Sequence, residues 1–168
     1  MLPIFEVKED QKIPDNKADL LELFHQKSAV WFHFEICPAC HTIPNATDWI
    51  NSPDKDEIDL KIFVTSKRIG KFHHWEPIFI GTNDEPFYDE RLNWEGKSDK
   101  MTQAYSLCLL DYNFKILSNA FLVHKPGIKS VREATRWQLE KQNKELIINE
   151  ILPEIKVFYG EREGCEMF

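Results

Sequence analysis

Apolar and polar positions along the chain alternate on short length scales, which predicts brief strands interrupted by three longer helical stretches. Leu2 to Val7 is an apolar run entered through Pro3 and reads as a strand. Asn16 can cap a helix with Asp19 in its first turn, and Leu20, Leu23 and Phe24 then fall on one face. Val30 to Phe34 is aromatic and extended. From Cys37 to Asp59 the chain is rich in Pro, Asn, Asp and Ser, the composition of a loop, with one helical turn around Thr47 to Ile50. Lys61 to Val64 and Pro77 to Ile80 are short strand candidates. Ser98 opens a helix whose Met101, Tyr105, Cys108 and Leu109 recur at i, i+4, i+7 and i+8, the spacing of a buried stripe. Tyr112 to Leu117 alternates, and Ala120 to Val123 follows a Ser118-Asn119 turn as another strand. Ser130 and Glu133 form a capping box for a last helix reaching about Leu152, where Pro153 is expected to stop it. Strands and helices mix, so the class is α/β or α+β.

Composition narrows the possibilities. The 168 residues can form one core burying roughly 70% of the unfolded surface. A hydrophobic fraction of 42% is too high for a disordered chain, and no run of 18 apolar residues exists to form a spanning helix. With 21 Lys and Arg against 28 Asp and Glu, the net charge of -7 argues against polyanion binding, so nucleic acid is not an expected partner. The N-terminal MLPIFEV shows no basic stretch followed by an apolar one, so no targeting segment is visible in it. Four cysteines are too few for a disulfide scaffold.

Several short motifs carry candidate chemistry. Cys37-Pro-Ala-Cys40-His41 is compatible with a structural disulfide or paired thiols, a thioredoxin-like redox site, a zinc site or a haem attachment. The residues after Cys40 do not make the long helix a redox site needs, and no second ligand pair completes a zinc site. Asn45-Ala46-Thr47 is a glycosylation sequon in the same loop, which favours an oxidising lumen. Asp54-Lys55-Asp56 has the D-x-D form of a metal-diphosphate site but sits in an acidic stretch that reads equally as a solvated loop. Trp75-Glu76 and Asp89-Glu90-Arg91 place an aromatic ring and carboxylates on either side of the Pro77 strand. That arrangement suits a sugar platform, or a Trp packed on its own hairpin. His124 ends an apolar run before Lys125-Pro126-Gly127, either aiming a ring nitrogen into a cleft or serving as a capping residue.

Taken in order, Trp75-Glu76-Pro77, Phe87-Tyr-Asp89-Glu90-Arg91, Gln103-Ala104, Tyr112-Asn-Phe114 and Asn119 to Lys125 resemble glycosyltransferase family 49. The upstream motifs, Pro3 to Val7, Asn16-Lys17 with Leu20, Cys37 and Cys40, the sequon and Trp49-Ile-Asn51-Ser-Pro53, resemble its glucuronyltransferase branch. The similarity runs from about residue 2 to 155, leaving 156–168 as a tail. It implies a GT-A nucleotide-sugar fold and inverting transfer of glucuronate, or a related sugar such as N-acetylglucosamine or xylose, from a UDP-sugar donor. The acceptor is a glycan, such as xylose in O-mannosyl glycan synthesis. It further implies Mn²⁺ on the donor diphosphate with His124 as a metal ligand, and Asp89 or Glu76 as the base or an acceptor-binding group. Trp75 would stack on sugar, and Arg91, Asp99 and Lys125 would lie at the substrate. The resemblance also implies a Cys37–Cys40 bridge and a glycosylated Asn45 in the Golgi lumen.

In that family the D-x-D lies upstream of the strand matching Leu2 to Val7, and Asp54-Lys55-Asp56 stands elsewhere. The expectation is therefore the C-terminal, acceptor-side half of a GT-A domain, inactive alone, which makes no membrane contact itself and whose full-length relatives are membrane-anchored. The family's Gly-aromatic-Asn-Arg/Lys before the Gln103 helix is replaced by Gly96-Lys-Ser-Asp99-Lys100. A redox protein using Cys37 and Cys40 and a non-catalytic glycan-binding protein are the alternatives from other classes.

Overall fold

The structure is a computed structural model that describes residues 1–52, 59–129 and 136–168; the Asp54-Lys55-Asp56 motif and the Ser130 to Glu133 capping box lie outside the described residues. It is mixed α/β and divides into two units. Unit 1 comprises the described parts of Met1–Ser66, Pro77–Ile80 and Asn113–Val131, and unit 2 those of Lys67–Glu76, Gly81–Tyr112 and Arg132–Phe168.

Unit 1 is built on a three-stranded sheet in the order β2-β1-β5. The central strand β1 (Ile4–Val7) pairs antiparallel with β2 (Ala29–Trp31) and parallel with β5 (Leu122–Val123). All four β1 residues are buried, which explains why Ile-Phe-Glu-Val does not alternate: both faces are covered. A second ladder joins β3 (Ile62–Ser66) to β4 (Phe114–Leu117), with a register irregularity between Ile62 and Val64. The Pro77 to Ile80 segment, expected as a strand, forms none; it offers the Ile78 carbonyl to the Leu2 amide at 2.9 Å.

Helix α1 (Lys17–His25) begins where expected, the Asn16 side chain accepting from the Asp19 amide at 2.8 Å. Two short helices follow, α2 (Pro38–His41) and α3 (Ala46–Asn51). The core is aromatic: Phe5 stacks on Trp31 at 4.4 Å, tilts against Trp49 at 5.6 Å and meets Phe24 and Phe121 edge-on.

Lys17 is the unexpected member of that core. Its ammonium is buried, donates to Ser52 Oγ at 2.7 Å and the Ser118 carbonyl at 3.0 Å, and lies 4.0 Å above the Trp49 ring. The Trp49 indole donates to the Leu117 carbonyl at 2.8 Å. Asn119 completes the set, its amide donating to the Asp59 carbonyl at 2.9 Å. The Asn16-Lys17, Trp49 to Ser52 and Asn119 motifs are thus parts of one brace.

Unit 2 is helical. Helix α4 (Asp99–Leu109) buries the expected stripe of Met101, Tyr105, Cys108 and Leu109. These pack with Leu92, Ile147, Ile151 and Met167. The last helical run continues past the expected stop at Pro153: α5 (Trp137–Leu146) passes through a π turn (Ile147–Ile151) into α6 (Leu152–Tyr159). Pro153 sits in the first turn of α6, where a missing amide costs little, and the wider turn before it makes room for the ring. Beyond α6, Cys165 is bonded to Cys108 (S–S 2.03 Å) and Met167 is buried. Among the described residues no helix is long and apolar enough to cross a membrane.

Candidate functional site

Unit 2 holds the main concentration of displaced titration chemistry. Arg68 is fully buried, donating from Nε to the Trp75 carbonyl at 3.0 Å and from Nη1 to the Glu166 carbonyl at 2.9 Å. Burial pulls its guanidinium down to about 10, and the charges of Glu76 and Tyr105 oppose that fall. Beside it, burial pushes the Glu76 carboxyl up to about 7; Asp99 acts in the same direction, while Lys100 and Arg68 pull it back. A carboxyl so placed exchanges its proton near neutral pH, the property required of a general base. Tyr88 belongs to the same neighbourhood: burial raises its phenol, with Lys100 opposing and Asp99 and Glu76 adding.

The structure brings Glu76 and Asp99 together and separates their role from that of Asp89. Arg91 binds Asp89 through Nε at 2.9 Å and Nη2 at 2.6 Å, and binds Glu154 of α6 through Nη1 at 3.1 Å and Nη2 at 2.6 Å. The side-chain bonds from Arg91 hold Asp89 below the usual carboxylate range, so it is a poor proton acceptor. Arg91 is itself occupied by two carboxylates. The pair is a clamp that ties the loop before Leu92 to α6.

Trp75 requires a correction. Expected to stack on a sugar, it is fully buried, 6.3 Å from the Phe72 ring, and its carbonyl anchors Arg68. A Trp in the core offers no face to a ligand; its motif neighbour Glu76 carries the chemistry. Two further residues shape the loops here. Gln103 donates to the Pro86 carbonyl at 2.7 Å. Asn143, buried on α5, accepts from the Asn93 amide at 3.0 Å and donates to the Asn93 and Lys97 carbonyls. A Cβ at Gly96 would stand 2.3 Å from the Asn143 amide nitrogen, so only glycine lets this loop close on Asn143.

In unit 1, His124 is exposed just beyond β5, its amide donating to the Phe5 carbonyl at 2.9 Å. Its Nδ1 lies 3.0 Å from the Lys125 carbonyl, which can only accept. Nδ1 therefore carries the proton, and in the neutral ring Nε2 keeps a lone pair for an electrophile or metal. Lys125 is exposed beside it. Among the described residues no three His, Cys, Asp or Glu side chains gather as a metal cage, so His124 fits one ligand position and no more.

Close to His124 is Glu6, a buried carboxylate that the sequence reading overlooked. Burial raises its pKa, against backbone hydrogen bonds at Lys129 and His33 and the charges of His124 and Lys129. Its Oε1 lies 3.9 Å from His33 Nε2. A lone acid inside an otherwise apolar strand was the available signal. In the neighbouring loop Cys37 and Cys40 are bonded to each other, and α2 after them has four residues, too few for a dipole that would activate a thiolate. Asn45 and Thr47 are exposed, with Asn45 in the left-handed region at φ 57° and its side chain making no cap bond to α3.

Residues 1–160 match a protein family described as "Glycosyl-transferase for dystroglycan". The chain is 26% identical to beta-1,4-glucuronyltransferase 1 of Mus musculus over 95% of its own length and 37% of the relative's. It is 32% identical to the Danio rerio protein of that name, over 88% of this chain and 33% of the relative. It is 24% identical to xylosyl- and glucuronyltransferase LARGE1 of Gallus gallus, over 84% of this chain and 17% of the relative. The chain thus spans about a third of the length of the glucuronyltransferases it matches.

Proposed function

Because the chain belongs to this glycosyltransferase family, we propose that it supplies the acceptor side of an inverting, GT-A-type glycosyltransferase. That enzyme moves glucuronate, or a related sugar, from a UDP-sugar to a glycan ending in xylose. The observation that carries the mechanism is the enclosure of Glu76 among Arg68, Asp99 and Lys100, which keeps a carboxyl ready to take up a proton at neutral pH. The acceptor hydroxyl attacks the anomeric carbon from the face opposite UDP. The new C–O bond forms as the bond to the diphosphate oxygen breaks, and the hydroxyl proton passes to Glu76. Asp89, locked to Arg91, holds the wall of the site and takes no part in proton transfer.

His124 offers Nε2 as one ligand to a Mn²⁺ ion, which when bound supplies the Lewis acid for the departing UDP. Asp99 and Lys100 set the charge around Glu76, and Lys125 lies beside His124 as a candidate contact for the anionic donor. Two disulfides and an exposed sequon favour an oxidising secretory compartment such as the Golgi lumen, with Asn45 glycosylated.

Acceptor binding tests this reading directly, since it needs Glu76 and not the donor. Saturation-transfer NMR of the folded chain with a β-xyloside is expected to show contact that Glu76→Ala removes and Asp89→Asn retains. No xyloside signal from the folded protein, or a signal indifferent to Glu76, overturns it. In transfer assays with UDP-glucuronate and Mn²⁺, Glu76→Gln is expected to lower turnover by about 10²–10⁴-fold.

A further inference from the structure

A cavity of about 190 Å³ opens in unit 2 on the far side of Tyr88 from Glu76's charged neighbours. The rings of Phe87, Tyr88, Phe158 and Tyr159 line it, and Thr102 and Ser106 of α4 lie at its base. Phe87 and Phe158 are 85% and 77% exposed, so neither ring serves the core. Aromatic faces left open around a small concavity with hydroxyls beneath them suit a ligand that is apolar on its faces and polar at its edge, as a pyranose is.

Charge and size restrict the ligand further. Asp89 and Glu154 flank the cavity and share Arg91, leaving one net negative charge that disfavours a phosphate or uronate and leaves carboxylate lone pairs for sugar hydroxyls. The Thr102 and Ser106 hydroxyls donate to the carbonyls of Asp99 and Thr102 at 3.1 and 3.0 Å, so toward a ligand they act as acceptors. The volume is below the ~300 Å³ at which pockets for drug-sized ligands begin, enough for one ring and too little for a nucleotide. Tyr88 gives continuity: its ring lines the cavity while its phenol feels Asp99, Lys100 and Glu76.

We infer that this cavity is a second sugar subsite, seating on Phe87 and Phe158 the neutral pyranose that precedes the accepting sugar. The inference rests on Glu76 marking the acceptor position. Aromatic-region NMR of the full chain, titrated with xylobiose and with xylose, separates the two. Xylobiose is expected to shift the Phe87 and Phe158 ring signals and to bind about tenfold tighter than xylose, a step of one decade in Kd. Phe158→Ala, and independently Phe87→Ala, should reduce xylobiose to the affinity of xylose and leave xylose binding and melting temperature unchanged. Unmoved ring signals, or equal affinity for the two sugars, overturn the subsite even where Glu76-dependent xylose binding persists. Ring shifts that survive in Glu76→Ala uphold the subsite while counting against Glu76.

Discussion

In unit 1 the polar residues of the family motifs are bound into architecture: Lys17 braces Ser52, Ser118 and Trp49, and Asn119 holds the Asp59 carbonyl. In unit 2 the motif residues divide, with Trp75 and Arg91 spent on packing and clamping while Glu76 retains a carboxyl displaced toward neutrality. The covalent ties differ in the same way. Cys37–Cys40 closes a loop of three residues' separation around one turn, whereas Cys108–Cys165 joins positions 57 apart and pins the end of the chain to α4. A shared motif therefore reports on fold or on chemistry according to where its side chains end, and burial together with partners distinguishes the two.

The largest test of this contrast removes the disulfides. Loop-closure entropy assigns about 4 kcal/mol to Cys108–Cys165 and about 2 kcal/mol to Cys37–Cys40, so the double serine variant of the first should lose roughly twice the unfolding free energy in urea titrations. Equal losses would break the contrast. Lys17→Met comes next, with about 2–3 kcal/mol expected from the loss of charged hydrogen bonds, read from the same titrations.

Glu76→Gln should act in the opposite direction. Its folded carboxyl is raised from 4.5 to about 7, so the stability it contributes is fully present below pH 4.5 and is lost as pH rises toward 7. The variant should therefore melt higher than the parent above pH 7, and the gain should shrink as pH falls toward 4.5. A gain independent of pH would remove Glu76 as the titrating group. The smallest effect is expected for Arg91→Ala: the clamp is solvent-exposed, and thermal melts should show a loss below about 1 kcal/mol.

Much of this was legible in the chain. The α1 cap at Asn16, the α4 stripe and the order of strands β1 to β5 follow from local chemistry and periodicity. Glu76 and Asp99 were visible as candidate site residues, but nothing local distinguished Glu76 from Asp89, because the difference is made by Arg91 and Arg68, partners brought in by folding. Trp75 misled for the same reason: a Trp beside carboxylates has one local pattern whether it faces solvent or core. The Cys108–Cys165 bond was invisible because 57 positions separate the two thiols and no spacing rule connects them. The helix through Pro153 required the π turn, a feature without a sequence period.

The two units are also interleaved along the chain. Unit 1 takes residues 1–66, then 77–80, then resumes at 113, while unit 2 fills the gaps and the end. Strand β1 gains β5 only after all of α4 has left the ribosome, so the first sheet waits half-made while the second unit's first long helix is being synthesised. No single cut releases either unit intact, and recombination could transfer them only together, as one heritable block.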